Sequence, residues 1–506
     1  MKRTLVRAAS LALGAALFAA GSLPAQITVT KYVALGDSYG AGFGSGCMVN
    51  REQAFSYPNQ LATAFGITGF QQPTVSDPGL PTCIGVKSLS PLSFGPISSK
   101  TGAPTNLTLA RPYDNLSVPG FKIADVSDKL TDSGGVADLI LRGLGSAQNQ
   151  ALSLNPNFIT LGIIGNDILT AGGAGFLLDG VTATPLAVFT AKYNAVAAAL
   201  KATGRNGVFI GTPFVNLIPL ASTLPPVVLD PATNKPLLVG GHTIPLLGPG
   251  NAAFPCPAAQ PACPLPTGTA VTLGASAPQA ALGGKSLLQI GYGIPCAVAA
   301  LPKCDNPLPD GGFTPPATVN IGVLLYPDEV AKIDTRVKDM NAVIQAAAAA
   351  NGFKYFPFYE VSQDLIANGR TYGGVHITKD FVTGGMFAFG EAVHMSNVGY
   401  TILADELVQF INASYGTSFP RPDVLHALFT PDSPAPGTPA ILGPLSPESM
   451  PFTEESWHRL FEVYPLQSPE YELVFPGGET VGRIPVQQTG PRGRTPVDTG
   501  RPPIRQ

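Results

Sequence analysis

Short apolar runs that stop at glycine, proline or asparagine recur along this chain and alternate with stretches of helical spacing. That alternation is what most limits the fold. The first run is Tyr32 to Leu35, cut off by the turn-rich triplet Gly36-Asp37-Ser38. Leu116 and Val118 alternate as in a short strand that ends at Pro119-Gly120. Phe158 to Ile164, entered through Asn155-Pro156-Asn157, is a strong strand that runs into Gly165-Asn166-Asp167. Val208 to Pro213 and Phe353 to Tyr359 read as further strands, and Val319 to Leu325 as a strand or extended lead-in. Helical spacing covers Phe121 to Leu130, Val136 to Leu144, Pro185 to Ala202, Pro327 to Ala350 (stopped by Asn351-Gly352) and Asn397 to Ser414. The order strand, helix, strand implies an α/β fold, with a parallel sheet covered by helices on both faces. Such sheets bind ligands beyond the carboxyl ends of their strands. Ser38, Gly120 and Asn166 each follow closely on a strand, so they are candidates to converge on one site.

The chain has 506 residues, of which 45% are hydrophobic and 12% charged, enough for a large core. A net charge of -3 with no basic run or stripe argues against a nucleic-acid partner. Residues 1–25 have the pattern of a secretory signal. Lys2, Arg3 and Arg7 precede an apolar stretch from Ala8 to Ala20, and Leu23-Pro24-Ala25 offers a small residue for cleavage. The expected location is therefore secreted or periplasmic. The six cysteines, Cys47, Cys83, Cys256, Cys263, Cys296 and Cys304, are an even set that suits disulfides in an exported protein. Sequence does not fix their pairing; the closest spacings are Cys47 with Cys83, Cys256 with Cys263, and Cys296 with Cys304. The five histidines are scattered, with no metal-ligand spacing, so no metal and no cofactor is expected.

Two segments break the pattern. Residues 43–113 are rich in Gly, Pro, Ser and Thr and read as a long loop insertion beside the cleft. Residues 215–316 hold four of the cysteines among many prolines and glycines, and read as a disulfide-pinned lid or small subdomain. A core domain over 26–420 with these insertions is expected, followed by a Pro-rich, largely disordered tail over 421–506. The tail loses periodicity after about Thr430, has one short amphipathic stretch at Thr453 to Tyr464 with Trp457, and ends with Arg492, Arg494, Arg501 and Arg505. Transient contact with a membrane or cell surface is an expectation for it.

A serine at the mouth of a strand is a common way to hold a nucleophile on a rigid scaffold, and it needs a base to take its proton. The base candidate is His394, in Glu391-Ala392-Val393-His394-Met395-Ser396-Asn397, just before the last helix. His426 and His458 fall at or in the tail and His242 in the insertion, which leaves His376 as the rival. Four segments occur in the order Gly36-Asp37-Ser38, Asn115 to Gly120, Gly165-Asn166-Asp167, and a carboxylate three residues before His394. Together they resemble the GDSL or SGNH family of serine hydrolases. Gly399-Tyr400, entering a helix that runs to Ile411-Asn412 with Tyr415-Gly416 soon after, is similar to the C-terminal segment of its secreted bacterial esterases and lipases. The resemblance covers about Lys31 to Thr212 and Val319 to Pro420.

The resemblance implies a flavodoxin-like three-layer α/β/α fold and hydrolysis of carboxylic esters. Ser38 would be the nucleophile and His394 the general base. The backbone N–H groups of Ser38 and Gly120 and the side-chain amide of Asn166 would form the oxyanion hole. Glu391 would be the third catalytic member, holding the imidazole in its tautomer. The chain departs from the family at two positions: Glu391 stands where Asp is usual, and Ile164 where Gly is usual. Asp380 or a backbone carbonyl are alternative partners for the imidazole. Asp37 is expected to brace its turn, and Asp167 to fix the strand end or Asn166. The expected substrate is an ester of a lipid or acylated small molecule, or an acetylated glycan if the protein is a polysaccharide deacetylase. A catalytically inactive surface-binding module is the alternative of another class.

Overall fold

The computed structural model describes residues 27–89, 92–174, 177–202, 204–213, 327–379, 385–388 and 393–429, with short pieces at 227–228, 237–239, 241–243, 246–248, 263–264, 269–271 and 324–325. The expected signal segment, most of the 215–316 insertion, the tail beyond 429, Cys256, Cys296, Cys304, Asp380 and Glu391 lie outside the described residues.

The described chain is α/β. Four parallel strands form one sheet: β1 (Tyr32–Gly36), β2 (Phe158–Gly162), β3 (Asn206–Ile210) and β4 (Lys354–Phe356), in that spatial order. Tyr32 lies opposite Phe158, Phe158 opposite Asn206, and Lys354 opposite Val208. On the free side of β1 runs residues 114–118, joined to it by a parallel bridge between Ala34 and Asn115. Ala34 N donates to Asp114 O at 2.9 Å, Leu116 N to Ala34 O at 2.9 Å and Val118 N to Gly36 O at 3.0 Å. The alternation of Leu116 and Val118 thus does mark an extended edge segment.

Side chains of a strand point alternately to its two faces. Val33, Leu35, Ile159, Leu161 and Phe209 enter one core cluster, while Tyr32, Ala34, Phe158, Val208, Ile210 and Phe356 enter the other. Besides two short helices, Asn50–Gln53 and Leu169–Ala174, the described residues form in chain order α1 (Ser38–Ala41), α2 (Tyr57–Ala64), α3 (Ile123–Asp128), α4 (Val136–Leu141), α5 (Ala147–Ser153), α6 (Leu186–Leu200), α7 (Pro327–Asn351), α8 (Phe358–Asn368), α9 (Asn397–Tyr415) and α10 (Val424–Phe429). Helices α3 to α7 bury their apolar stripes in the first cluster, for example Phe189, Tyr193 and Val196 of α6 against Ile333, Val337 and Met340 of α7. Helices α2 and α9 fill the second with Tyr57, Leu61, Tyr400, Leu403 and Leu407. Both faces of the sheet are therefore covered. Among the described residues no helix is long and apolar enough to cross a membrane.

Three expectations need correction. Residues 43–113 are not one long loop, because α2 inside them is part of the second core cluster. Its start was written in Ser56, whose hydroxyl accepts from Asn59 N, and in Pro58 in the first turn. The same stretch holds a two-stranded hairpin, Ile84–Leu89 with Leu92–Pro96, and the Cys47–Cys83 disulfide. The expected strand from Phe353 to Tyr359 stops at Phe356: Pro357 caps α8, and Phe358 and Tyr359 are buried on that helix. The packed chain also runs past 420. Helix α10 buries Val424, Ala427 and Leu428, so the start of the tail moves beyond Phe429.

Candidate active site

The turn after β1 is built around Asp37. Its carboxylate caps α1 by accepting from Tyr39 N at 3.0 Å, and its other oxygen reaches across to the end of β2. There it accepts from Ile164 N at 2.7 Å, Gly165 N at 3.3 Å and Asn166 Nδ2 at 3.4 Å. Asp37 is 1% exposed, and burial pushes its carboxyl up to about 6, against the backbone donors and the nearby His394, which act to lower it. Sequence assigned Asp37 to bracing its own turn; it also braces the next loop.

Ser38, the first residue of α1, is buried at 8% exposure. The close approach of residues 114–118 behind it requires glycine at position 40. A Cβ there would lie 2.2 Å from Ser117 Oγ and 2.8 Å from Ser117 Cβ.

His394 arrives from the far end of the chain, in the short segment before α9. Phe387 and Met395 form an antiparallel bridge, and Ala388 N donates to His394 O at 2.7 Å. Ser396 caps α9 by accepting from Gly399 N at 3.1 Å, and its hydroxyl donates to Gly385 O at 2.6 Å. The imidazole packs against Phe43 and Tyr39, with ring centroids 4.8 and 5.5 Å away. These constraints bring His394 Nε2 to 2.7 Å from Ser38 Oγ, across 356 positions of sequence. That is hydrogen-bond distance, the geometry a general base needs to receive a hydroxyl proton.

Asn166 stands on the same cleft. Its side-chain amide donates to Phe121 O at 3.1 Å as well as to Asp37. Gly120 precedes Phe121, has φ +84°, and has open space where a Cβ would be. It is exposed and stands outside the set of residues that wall the cleft. Asp167 does not hold Asn166: it accepts from Ile123 N at 2.9 Å and from the Thr184 hydroxyl at 2.6 Å, which ties the loop to the start of α3. Burial raises its carboxyl above the ordinary range. Ile164, one of the two departures from the resemblance, buries its side chain in the second core cluster, with Gly165 beside it open to the cleft.

Ile164, Leu169, Pro213 and Val393 give the cleft apolar walls around Ser38, His394 and Asn166. Such a mixture of apolar wall and few polar groups suits a small organic ligand. Leu169, Pro213 and Val393 carried no motif and could not have been picked out from the sequence. Pro213 is placed by Asn341 of α7, whose amide bonds both Thr212 N and Thr212 O, at 2.8 and 2.9 Å.

The rival His376 sits in a separate hairpin, Arg370–Tyr372 with Val375–Ile377, where its Nδ1 lies 3.0 Å from the Thr371 hydroxyl. Among the described residues, the one group with metal-ligand spacing is Cys47, Glu52 and Cys83. Its two sulfurs are joined to each other, so they offer no thiolate. Compared with family models and with curated proteins, the chain matches none.

Proposed function

We propose that the protein is a secreted or periplasmic serine hydrolase that cleaves carboxylic esters through an acyl-enzyme on Ser38. The observation that carries this reading is the 2.7 Å contact between Ser38 Oγ and His394 Nε2. In the proposed reaction, His394 takes the Ser38 proton as Oγ bonds to the ester carbonyl carbon. The oxyanion is received by the backbone N–H groups of Ser38 and Gly120 and by the Asn166 amide. His394 then gives the proton to the departing alcohol. Water, deprotonated by His394, attacks the acyl-enzyme and releases the acid and free Ser38. Glu391 is proposed to hold the imidazole's orientation; replacing it with Ala should then lower kcat steeply, and replacing it with Asp should not.

A flavodoxin-like three-layer fold is the finer reading of the sheet. Taken across the sheet, residues 114–118, β1, β2, β3 and β4 come in the chain order second, first, third, fourth, fifth. That is the flavodoxin-like order, whose switch point falls between its first and third strands. Ser38 and Asn166 follow those two strands. This order, with the Ser38, Asn166 and His394 cleft, supports membership of the GDSL or SGNH hydrolases. The Cys47–Cys83 disulfide suits an oxidising compartment. The substrate is proposed to be an ester of a lipid, an acylated small molecule or an acetylated glycan.

The test is turnover of p-nitrophenyl esters of graded acyl length and release of acetate from acetylated glycans. Ser38→Ala and His394→Ala should each lower kcat by about a thousandfold or more. A folded wild-type protein that turns over none of these substrates would overturn the proposal in favour of a binding module.

A further inference from the structure

The Asp37 carboxylate is spent on the wrong loop for a simple helix cap. One of its oxygens serves Tyr39 N in its own turn, and the other serves Ile164 N, Gly165 N and Asn166 Nδ2. These donors lie in the loop that carries the proposed oxyanion donor. The Asn166 amide is held at two points, a 3.1 Å bond to Phe121 O and the longer 3.4 Å bond to Asp37. The longer bond is the one the amide can give up when a substrate oxygen becomes negative. The Phe121 bond keeps the amide plane in place while it does so.

We propose that Asp37 is a positioning residue for the reaction at Ser38: its ionised carboxylate holds Ile164, Gly165 and the Asn166 amide in the arrangement that receives the oxyanion. The inference rests on the hydrolase reading above. A carboxylate accepts at both oxygens, whereas a protonated carboxyl carries an O–H that has no acceptor among these four donors. Protonation therefore weakens the hold on the loop, because a neutral carboxyl oxygen accepts less strongly than a carboxylate oxygen. It also removes the negative charge that favours the imidazolium formed on His394 during attack. The titratable groups facing Asp37 are few. His394 lies on the segment before α9 and Tyr57 on α2, and Asp167 on the same loop is turned instead to Ile123 and Thr184. Burial raises the Asp37 carboxyl to about 6, so the group titrates between the ordinary carboxylate range and neutral pH.

The experiment is the pH profile of kcat/KM for p-nitrophenyl acetate on the full-length protein, from about pH 4 to about pH 8. Two groups that must both be deprotonated make the wild-type acid limb fall about a hundredfold per pH unit below both values. Asp37→Asn should fall only about tenfold per unit, with kcat at neutral pH lowered about a hundredfold or more, as for the loss of an oxyanion donor, and KM little changed. The wild-type slope alone carries the test if the variant does not fold. A second readout is the Ile164 amide in protein labelled with 15N-isoleucine, which should titrate with a midpoint near the Asp37 value of about 6. An active wild type whose limb falls only tenfold per unit overturns the role of Asp37 alone. A wild type inert to esters overturns the hydrolase reading, and this role with it, whatever the amide does.

Discussion

The hydroxyl of Tyr39, next after Ser38, donates to the backbone carbonyl of Val393, next before His394, across 2.7 Å. A second tyrosine repeats the tie from the other side, with Tyr400 OH donating to Phe43 O at 2.7 Å. The two reacting segments are thus joined through their immediate neighbours. Tyr39→Phe keeps the ring packing and removes one tie. It should cost about 1 kcal/mol of stability and lower kcat about tenfold by loosening the imidazole. Urea midpoints and ester kinetics on the same preparation check both.

The Asp37 carboxyl also makes a prediction about stability. Its ordinary value is 3.8 and its folded value about 6, so the folded state holds the proton more tightly than the unfolded chain does. The stability this group contributes is fully present below about pH 4 and is lost as pH rises to about 6. The loss is on the order of 3 kcal/mol. The stability of wild type minus that of Asp37→Asn should fall by about that amount between pH 4 and pH 7. A difference that does not change with pH contradicts it.

Gly40→Ala tests the close packing behind the nucleophile. The added methyl meets Ser117 Oγ at 2.2 Å and Ser117 Cβ at 2.8 Å, and both atoms are on a fully buried residue. A loss of about 3 kcal/mol is expected, as for an overpacked core. Ser117→Gly in the same chain should recover much of it. Denaturation of the two single variants and the double variant gives the coupling.

The ion pair between Arg421 and Asp405 tests where the packed domain ends. Asp405 is 0% exposed and also accepts from Tyr372 OH at 2.8 Å and Gln409 Nε2 at 3.2 Å. Arg421→Ala leaves that buried carboxylate without its cation, at a cost of about 3 kcal/mol. Asp405→Asn together with Arg421→Ala should cost less than Arg421→Ala alone. A negligible cost of Arg421→Ala would contradict the place of residue 421 in the packed domain.

Much of the sheet was legible because parallel strands buried on both faces are short apolar runs, the first of them ended cleanly at Gly36. Helices α6, α7 and α9 were legible from apolar spacing, and the first two also from Pro185 at the start of α6 and Gly352 after α7. Helix α2 was missed because its eight residues sit in a stretch whose composition reads as loop, and only Ser56 and Pro58 announce it. Helix α8 was missed because Phe356-Pro357-Phe358 continues an apolar run through the change from strand to helix. At the site, Ser38 and His394 stood out because their types and order carry chemistry. The reach of Asp37 to Ile164 depends on the pairing of β1 with β2, which no local pattern encodes.

The most direct test of the central claim is covalent labelling with a fluorophosphonate, followed by mass spectrometry of the peptides. The account predicts a single adduct on Ser38, formed quickly by wild-type protein and very slowly by His394→Ala. No adduct on a folded wild-type protein, or an adduct on another serine with Ser38 unmodified, would contradict it.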